Sequence, residues 1–248
     1  MLVGGSAATA VVLFLAACAS EMDPIGWLRS CVDVARFLSH LLVMPDWSYV
    51  PTLAARLWET IEITLLASFL SVTISLPLAV LAARNASPHG ICSRLTRLTL
   101  CFIRGLPELV WALLFVSAFG LGPVPGVMAM AIVSTGFMGR FYAESLEVVD
   151  MRIVDAVRAT GARWSQVRLY GMFPQAMPDF VGTTLYLLDH NLRAATLLGL
   201  VGAGGIGYDL IVTLRLFRFD RLILIIAAIY LIIFALDRAS HRIRRQVI

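Results

Sequence analysis

The sequence predicts an all-α integral membrane protein with about six transmembrane helices. Of its 248 residues, 59% are hydrophobic and only 15% are charged, and the mean hydropathy is +0.85. A soluble domain carries roughly 25% charged and about 45–50% apolar residues. Several apolar runs also reach the ~20 residues that a helix needs to cross a bilayer. The length suits a single membrane domain.

Apolar runs and helix-breaking residues predict the order of the spans. Residues 1–57 are predicted to hold a first transmembrane helix at 2–19, followed by an amphipathic segment at the membrane interface. Residues 58–248 are predicted to form the core transmembrane domain. Its spans are predicted at 58–83, 98–119, 124–141, from 177 onwards, and at 222–236. Pro107 predicts a kink in the second of these, and residues 142–174 are a polar loop after the third.

The basic residues predict an orientation and exclude one class of enzyme. All 20 are arginine, whereas a nucleotide-binding P-loop needs a lysine. Any ATP-driven work would therefore need another subunit. With both termini in the cytoplasm, 12 arginines lie in predicted cytoplasmic segments and six lie outside, as the positive-inside rule favours. Arg215, Arg218 and Arg221 are the outside arginines that fit this orientation least well.

A glycine-rich stretch interrupts the last third of the chain. Residues 202–207 read Gly-Ala-Gly-Gly-Ile-Gly and fit the pattern of a dinucleotide-binding turn. That turn requires a soluble βαβ unit, which the surrounding apolar sequence does not provide. Residues 173–207 are too long for one span at ~1.5 Å per residue. The glycines are therefore predicted to break the span, either at a path or gate through the membrane or for close helix packing.

The polar loop is predicted to hold two short helices joined at Gly161. The first helix ends where Gly161 supplies a left-handed turn, and Pro174 begins the element that follows the second. Ala156, Ala159 and Ala162 are small enough to let a partner backbone approach closely. The alternative interpretation is an ordinary solvated basic loop.

This loop resembles the coupling segment of the permease subunits of bacterial ABC importers. Their pattern is Glu/Asp-Ala, then Gly five residues after the Ala, and Leu-Pro about a dozen residues later. Asp155-Ala156, Gly161 and Phe173-Pro174 stand at those positions. Val157, for a second Ala, and Phe173 depart from the pattern by apolar exchanges. The stretch "NLRAATLLGLVGAGGIG" is similar to phosphonate-type permeases, and this similarity runs from about Arg104 to the C-terminus.

The resemblance implies the type I ABC importer permease architecture, in the bacterial inner membrane with cytoplasmic N- and C-termini. The coupling loop would dock on a cytoplasmic ATPase. By this resemblance, the residues expected to couple the permease to the ATPase are Asp155, Ala156, Arg158, Ala159, Gly161, Ala162, Gln166 and Pro174. The implied partners are a second permease copy (a homodimer), two ATPase subunits that bind ATP and Mg, a periplasmic substrate-binding protein and membrane lipid. The chain itself would be a transport subunit and not an enzyme, with no cofactor, metal or nucleic acid.

Polar residues within the predicted spans indicate the path of the cargo. Asp189 and Arg193 are i,i+4 neighbours, and Asp189 would lie ~16 Å into a ~30 Å core. One interpretation is that the two residues form a structural pair whose charges cancel. The other is that Arg193 contacts an oxyanion in transit, together with Asn191 and Thr196, because the guanidinium fork matches the oxygens of such an anion. Glu108 is predicted to hold an arginine, either Arg104 or Arg193. The full pathway or gate set is Glu108, Asp189, Asn191, Arg193, Thr196, Gly202, Gly204 and Gly205.

The predicted function is import of a small phosphorus oxyanion such as a phosphonate or phosphite. One alternative is an ABC permease for another small solute such as an amino acid, since methionine-type permeases show a looser resemblance. A second is a proton-coupled secondary transporter with Asp189 and His190 as the relay. A third, a membrane-bound enzyme, has no nucleophile–base set or metal cluster in its favour.

Overall fold

The computed structural model describes residues 33–34 and 44–247. The chain divides into two compact units, residues 1–45 and 46–248, and the second is described below. The predicted span at 2–19 and most of the predicted interfacial segment lie outside the described residues. Residues 50–57, at the end of that segment, form the first turns of a long helix.

The described residues of the second unit form helices and turns. A 3-10 turn (Trp47–Tyr49) leads into α1 (Val50–Ala82), α2 (Gly90–Gly105), α3 (Glu108–Phe119) and α4 (Pro123–Glu147). After these come α5 (Met151–Ala159), the short α6 (Trp164–Gln166), a π-helical turn (Val167–Met172), α7 (Phe173–Leu198), a 3-10 turn (Gly199–Val201), α8 (Ile206–Arg215) and α9 (Phe219–Val247).

Three of these helices are long and apolar enough to cross a membrane: α1 with its preceding turn, α4 and α9. Two bent pairs would add a crossing each. One is α2 with α3, and the other is α6 through Val201 with α8, bent by 47°. The part of the chain that the structure describes thus carries up to five crossings, in agreement with the five spans predicted for 58–248.

The helix ends extend beyond the predicted spans. α1 begins at Val50, with Pro51 in its first turn, where the missing N–H of proline leaves no hydrogen bond unmade. α4 continues to Glu147, so residues 142–147 are helical and the polar loop is shorter than predicted. α9 runs from Phe219 to Val247, well past the 222–236 that hydropathy indicates, because its last turns are polar.

The predicted kink at Pro107 is a full break. α2 ends at Gly105 and α3 begins at Glu108, with an angle of 82° between them. Leu106 and Pro107 have extended backbone conformations (ψ 133° and 146°). Proline disfavours the α conformation for the residue before it, which accounts for the turn out of the helix at Leu106.

α1, α4 and α7 pack together at the centre. Ala67, Ala79 and Ala129 have no exposed surface, and such small residues let helix backbones approach closely in membranes. The Tyr142 and Phe180 rings pack 4.4 Å apart between α4 and α7.

The bundle has two ends. The loop end carries residues 83–89 and 148–172, where α1 and α4 finish and α2 and α7 begin. The glycine end carries residues 199–205 together with the starts of α1, α4 and α9. These two names are used below.

Candidate functional site

The first candidate site is the coupling segment, residues 148–172 at the loop end. α5 is capped by the Asp150 carboxylate, which accepts from the Arg152 N–H at 2.9 Å. Val154 faces inward and is 1% exposed within the hydrophobic core. Asp155, Ala156 and Ala159 lie on the exposed surface. The helix therefore has one anchored face and one face open to a partner.

The turn after α5 is built as predicted around Gly161. Its φ of +80° lies in the left-handed region, which favours glycine. The side-chain oxygen of Gln166 accepts a hydrogen bond from the Arg163 N–H at 2.8 Å. Pro174 is the second residue of α7, in its first turn. Arg158 pairs with Asp155 at 3.0 Å, and both side chains are 60% exposed, while Ala162 is half-buried.

Arg168 fastens the coupling segment to the rest of the loop end. It is only 9% exposed, and its guanidinium lies 3.1 Å from the centre of the Trp164 ring. It donates to the Ala86 carbonyl in the loop between α1 and α2 and to the Trp164 carbonyl at 2.7 Å. Movement of this segment is thereby linked to the loop that joins α1 to α2.

The glycine break packs tightly against α1 and the start of α4. Gly202, Gly204 and Gly205 have φ values of +86°, +82° and +71°. The Thr60 hydroxyl accepts from the Ile206 N–H at 2.8 Å and so satisfies the first N–H of α8. A Cβ on Gly205 would lie 2.7 Å from that same hydroxyl oxygen. Close packing therefore explains the glycines, and their part in a path or gate stays a prediction.

Charged residues of α3 and α7 meet near the middle of the bundle. The His190 ring nitrogen lies 3.2 Å from the Glu108 carboxylate, and Arg193 pairs with Asp189 at 2.7 Å. The ring of Phe137 in α4 lies 6.4 Å from that of His190, centre to centre. At ~1.5 Å per residue, Phe137 is about 21 Å from the start of α4 and about 15 Å from its end. This group of charges, the mid-depth cluster, thus lies at the level of the helix break.

Within the described chain, Glu108 contacts neither of the two arginines predicted as its partner. The i,i+4 relation between Arg104 and Glu108 requires a continuous helix, and the break at residues 105–107 removes it. Arg193 is already bound by Asp189. Glu108 reaches His190 instead, while the i,i+4 contact of Asp189 with Arg193 is present as expected.

The side chains of Asn191 and Thr196 are engaged in hydrogen bonds within the chain. Asn191 has no exposed surface. Its amide accepts from the Ser134 hydroxyl at 2.8 Å and donates to the Ser68 hydroxyl at 2.9 Å, so it joins α1, α4 and α7. Thr196 donates to the Arg193 carbonyl at 2.7 Å.

A crevice between α4 and α7 leads from the mid-depth cluster towards the loop end. A cavity of about 80 Å³ lies beside His190 and Phe137. A wider groove of about 350 Å³ continues it and shares Phe141, Thr183 and Tyr186 with the cavity. Arg244 of α9 lines the far part of this groove and donates to the Gly182 carbonyl at 3.2 Å.

The arginines that fitted the predicted orientation least well are mostly neutralised. Arg221 binds Asp46 at 3.0 Å, and Arg218 binds Asp220 at 2.9 Å. Hydrogen bonds from Ser48 and the Arg221 pair hold the pKa of Asp46 below its ordinary value. These pairs join the start of α9 to the turn before α1, so they have a structural use at the glycine end.

Comparison with known families decides the identity. A family model described as "binding-protein-dependent transport system inner membrane component" matches residues 75–248. The chain belongs to this family. It is therefore an inner-membrane permease of the ABC transporter kind, as the pattern around Asp155 and Gly161 implied.

Three relatives of this permease are named for phosphorus compounds. PtxC, a phosphite transport system permease protein of Stutzerimonas stutzeri, is 36% identical over 82% of this chain and 74% of its own length. HtxC, a putative phosphite transport system permease protein of the same organism, is 34% identical over 98% of this chain and 86% of its own. PhnE, a phosphate-import permease protein of Mycolicibacterium smegmatis, is 40% identical over 77% of this chain, which spans only 36% of that protein.

Solved structures share the fold of the permease. A structure of the MetNI methionine ABC transporter in an inward-facing conformation matches with a TM-score of 0.70 at 21% identity, over 82% of this chain and 99% of that one. An amino acid ABC transporter crystallised with histidines matches with a TM-score of 0.68 at 21% identity, over 80% and 95%. The type I ABC importer permease fold implied by the sequence is thereby confirmed.

Sequence reasoning missed the contacts that hold both candidate sites in place. Arg168 was counted only as one more basic loop residue, and no local pattern marks it as buried. Ser68 and Ser134 flank Asn191 from two other helices, at 123 and 57 residues' separation. Contacts at such separations follow from helix packing, and a single sequence carries no local signal for them.

Proposed function

We propose that this permease carries a small phosphorus oxyanion, such as phosphite or a phosphonate, inward across the cytoplasmic membrane. The observation that carries the proposal is a cluster of charged residues at mid-depth, opening into a crevice, in a permease whose relatives are named for phosphite and phosphate. Charged residues inside membranes are rare and usually face a water-filled cavity or the bundle interior. A phosphorus oxyanion is the cargo that such arginine-containing surroundings suit.

A second copy of the permease would complete the pathway. α7 exposes Tyr186, Arg193 and Leu197 beside the crevice. A charged face open to lipid is costly, so a partner is needed to cover it. Two facing copies would enclose a path with one mid-depth cluster on each side.

The coupling segment would transmit the work of an ATPase to this pathway. Ala156 and Ala159 present a surface without long side chains, on a helix anchored through Val154. A cytoplasmic ATPase that docks there, and that holds ATP and Mg in its own site, would push on α5, and Arg168 would pass the movement to the loop before α2. With the ATPase docked there, the loop end and both termini would lie in the cytoplasm.

The cargo would be delivered at the glycine end by a periplasmic binding protein. Residues 199–205 close that end against α1 and α4, so opening outward requires this packing to loosen. The paired charges at mid-depth then give the oxyanion only a weak hold, and weak binding along a path permits fast release. Selectivity would rest mainly with the binding protein.

Uptake in whole cells tests this proposal. The host would lack importers for phosphite, phosphate and methylphosphonate, and would express the permease with the ATPase and binding protein that co-purify with it. We expect ATP-dependent accumulation of at least one of the three anions that continues when a protonophore collapses the proton gradient. A host carrying the permease with Gly161→Pro should accumulate none, because its coupling turn cannot form.

Two outcomes favour the alternatives. Accumulation of methionine or another amino acid, with none of the three phosphorus anions, would replace the cargo assignment. Uptake that stops with the protonophore and survives ATP depletion would indicate a proton-coupled transporter, and Asp189 and His190 would become its relay.

A further inference from the structure

Arg104 is the arginine at mid-depth that has no carboxylate partner. It lies in the last turn of α2, directly before the helix break. Its guanidinium carbon is 4.5 Å from the centre of the Phe137 ring. Among the residues that the structure describes, it makes no ion pair or hydrogen bond, and its Nε is buried without an acceptor.

Three arginines in the helices around it, Arg97, Arg140 and Arg193, are each paired with a carboxylate. Arg97 binds Glu147, Arg140 binds Glu144 at 2.7 Å, and Arg193 binds Asp189 at 2.7 Å. Glu108, the acid nearest to Arg104 in sequence, is engaged by His190. Among the described residues, no carboxylate lies within ion-pair distance of Arg104, which neighbours the mid-depth cluster.

An unpaired cation at this depth is costly. Arg104 is half-buried with its Nε enclosed, so it loses part of its hydration, and a well-placed counterion would offset that loss. Contact with an aromatic face returns about 0.5–2 kcal/mol, yet it satisfies none of the N–H donors of the guanidinium. The site around Arg104 is thus incomplete without an anion.

The fold makes room for this side chain. A Cβ on Gly136 would lie 2.9 Å from Cγ of Arg104, so glycine at that position of α4 lets the stem of Arg104 pass. The ring of Phe137 then lies under the guanidinium, and the cavity beside Phe137 and His190 begins there. Arg104 is thus linked to the crevice through Phe137, which it contacts and which lines the cavity.

We infer that Arg104, and not Arg193, is the residue that contacts the phosphorus oxyanion in transit. This inference rests on the proposed function. The planar guanidinium offers two parallel N–H donors to two oxygens of phosphite or a phosphonate. Arg193 already donates to Asp189, and its charge is cancelled there. Asp189 and Glu108, held by Arg193 and His190, keep the total positive charge low enough for release.

The test compares three variants in the complete transporter with its ATPase and binding protein, reconstituted in liposomes. They are Arg104→Gln, Arg104→Lys and the charge-neutral double variant Asp189→Asn/Arg193→Gln. Uptake of phosphite and ATP hydrolysis are measured together. We expect Arg104→Gln to lower uptake at least tenfold while hydrolysis stays within twofold of wild type. Uptake by Arg104→Lys should lie between that of the wild type and that of Arg104→Gln, since lysine keeps the charge and loses the fork. The double variant should lower uptake less than Arg104→Gln does, because the charge of Arg193 is already engaged by Asp189.

Several results would overturn the inference. Uptake at the wild-type level by Arg104→Gln would overturn it. An equal loss of uptake and ATP hydrolysis in an assembled Arg104→Gln complex would also overturn it, because an equal loss indicates a structural role. If Arg104→Gln does not assemble, full uptake by Arg104→Lys overturns the need for the fork. If the wild type carries no phosphite, phosphate or phosphonate, the proposed function fails before Arg104 is in question.

Discussion

At the scale of single residues, the permease depends on a few positions where no other side chain fits or where one side chain joins distant segments. Gly205 combines a left-handed backbone with close contact to Thr60. Arg168 joins α6, the π-helical turn and the loop after α1. Both positions hold packed segments together, so changes there should be visible in stability.

We expect Gly205→Ala to destabilise the permease. The added Cβ would lie 2.7 Å from the Thr60 hydroxyl, in a backbone conformation with φ +71°. The cost should be about 1–3 kcal/mol, typical of strained backbone. Thermal unfolding of the detergent-solubilised protein measures it. Gly90→Ala is the matched control, since its Cβ would meet nothing within 4 Å, and equal melting temperatures for the two variants would contradict the account.

Arg168→Met should loosen the coupling segment. The change removes the hydrogen bonds to the Ala86 and Trp164 carbonyls, and only the Trp164 carbonyl keeps another donor, the Val167 N–H. Loss of hydrogen bonds from a charged group costs about 2–4 kcal/mol. Hydrogen exchange of residues 83–89 and 160–172 should rise relative to wild type. Arg152→Met, at a side chain that is 94% exposed, should leave the exchange unchanged, and a similar rise there would argue against a special part for Arg168.

At the scale of elements, apolar runs predicted where the helices lie but not how the helices contact one another. Length and hydropathy placed α1, α4 and α9, and Gly161 marked the end of α5 because a left-handed turn has a local sequence signal. Whether Pro107 kinks or breaks a helix depends on neighbours such as Gly136 and Phe137 on another helix. The contact of Glu108 with His190 spans 82 residues, beyond any local rule.

The surface of α5 is predicted to bind the ATPase. Ala156→Arg places a long charged side chain on that exposed face without disturbing the buried Val154. We expect the variant to fold as the wild type does and to lose the co-purifying ATPase at least tenfold. Ala54→Arg is the control, since Ala54 is an exposed alanine at the glycine end. Retention of the ATPase by Ala156→Arg would place the docking surface elsewhere.

At the scale of the whole molecule, the described part of the chain forms a bundle with up to five crossings, a break at mid-depth and a closed glycine end. In the proposed assembly, its charged α7 face and the α4–α7 crevice would line a water-filled path beside a second copy. The paired acids and arginines make that path weakly charged, with Arg104 as the remaining cation. This is the arrangement expected of a carrier that holds an anion briefly.

The most direct test of the central claim is ATP-driven uptake by the purified complex in sealed liposomes, with labelled phosphite and loaded binding protein outside and ATP inside. The account predicts that labelled phosphite accumulates against its gradient, and that this accumulation requires ATP hydrolysis and the binding protein. Unlabelled phosphonate or phosphate should reduce the accumulation of labelled phosphite if the binding protein accepts them. A complex that hydrolyses ATP and accumulates an amino acid or another non-phosphorus solute, and no phosphorus oxyanion, would contradict it.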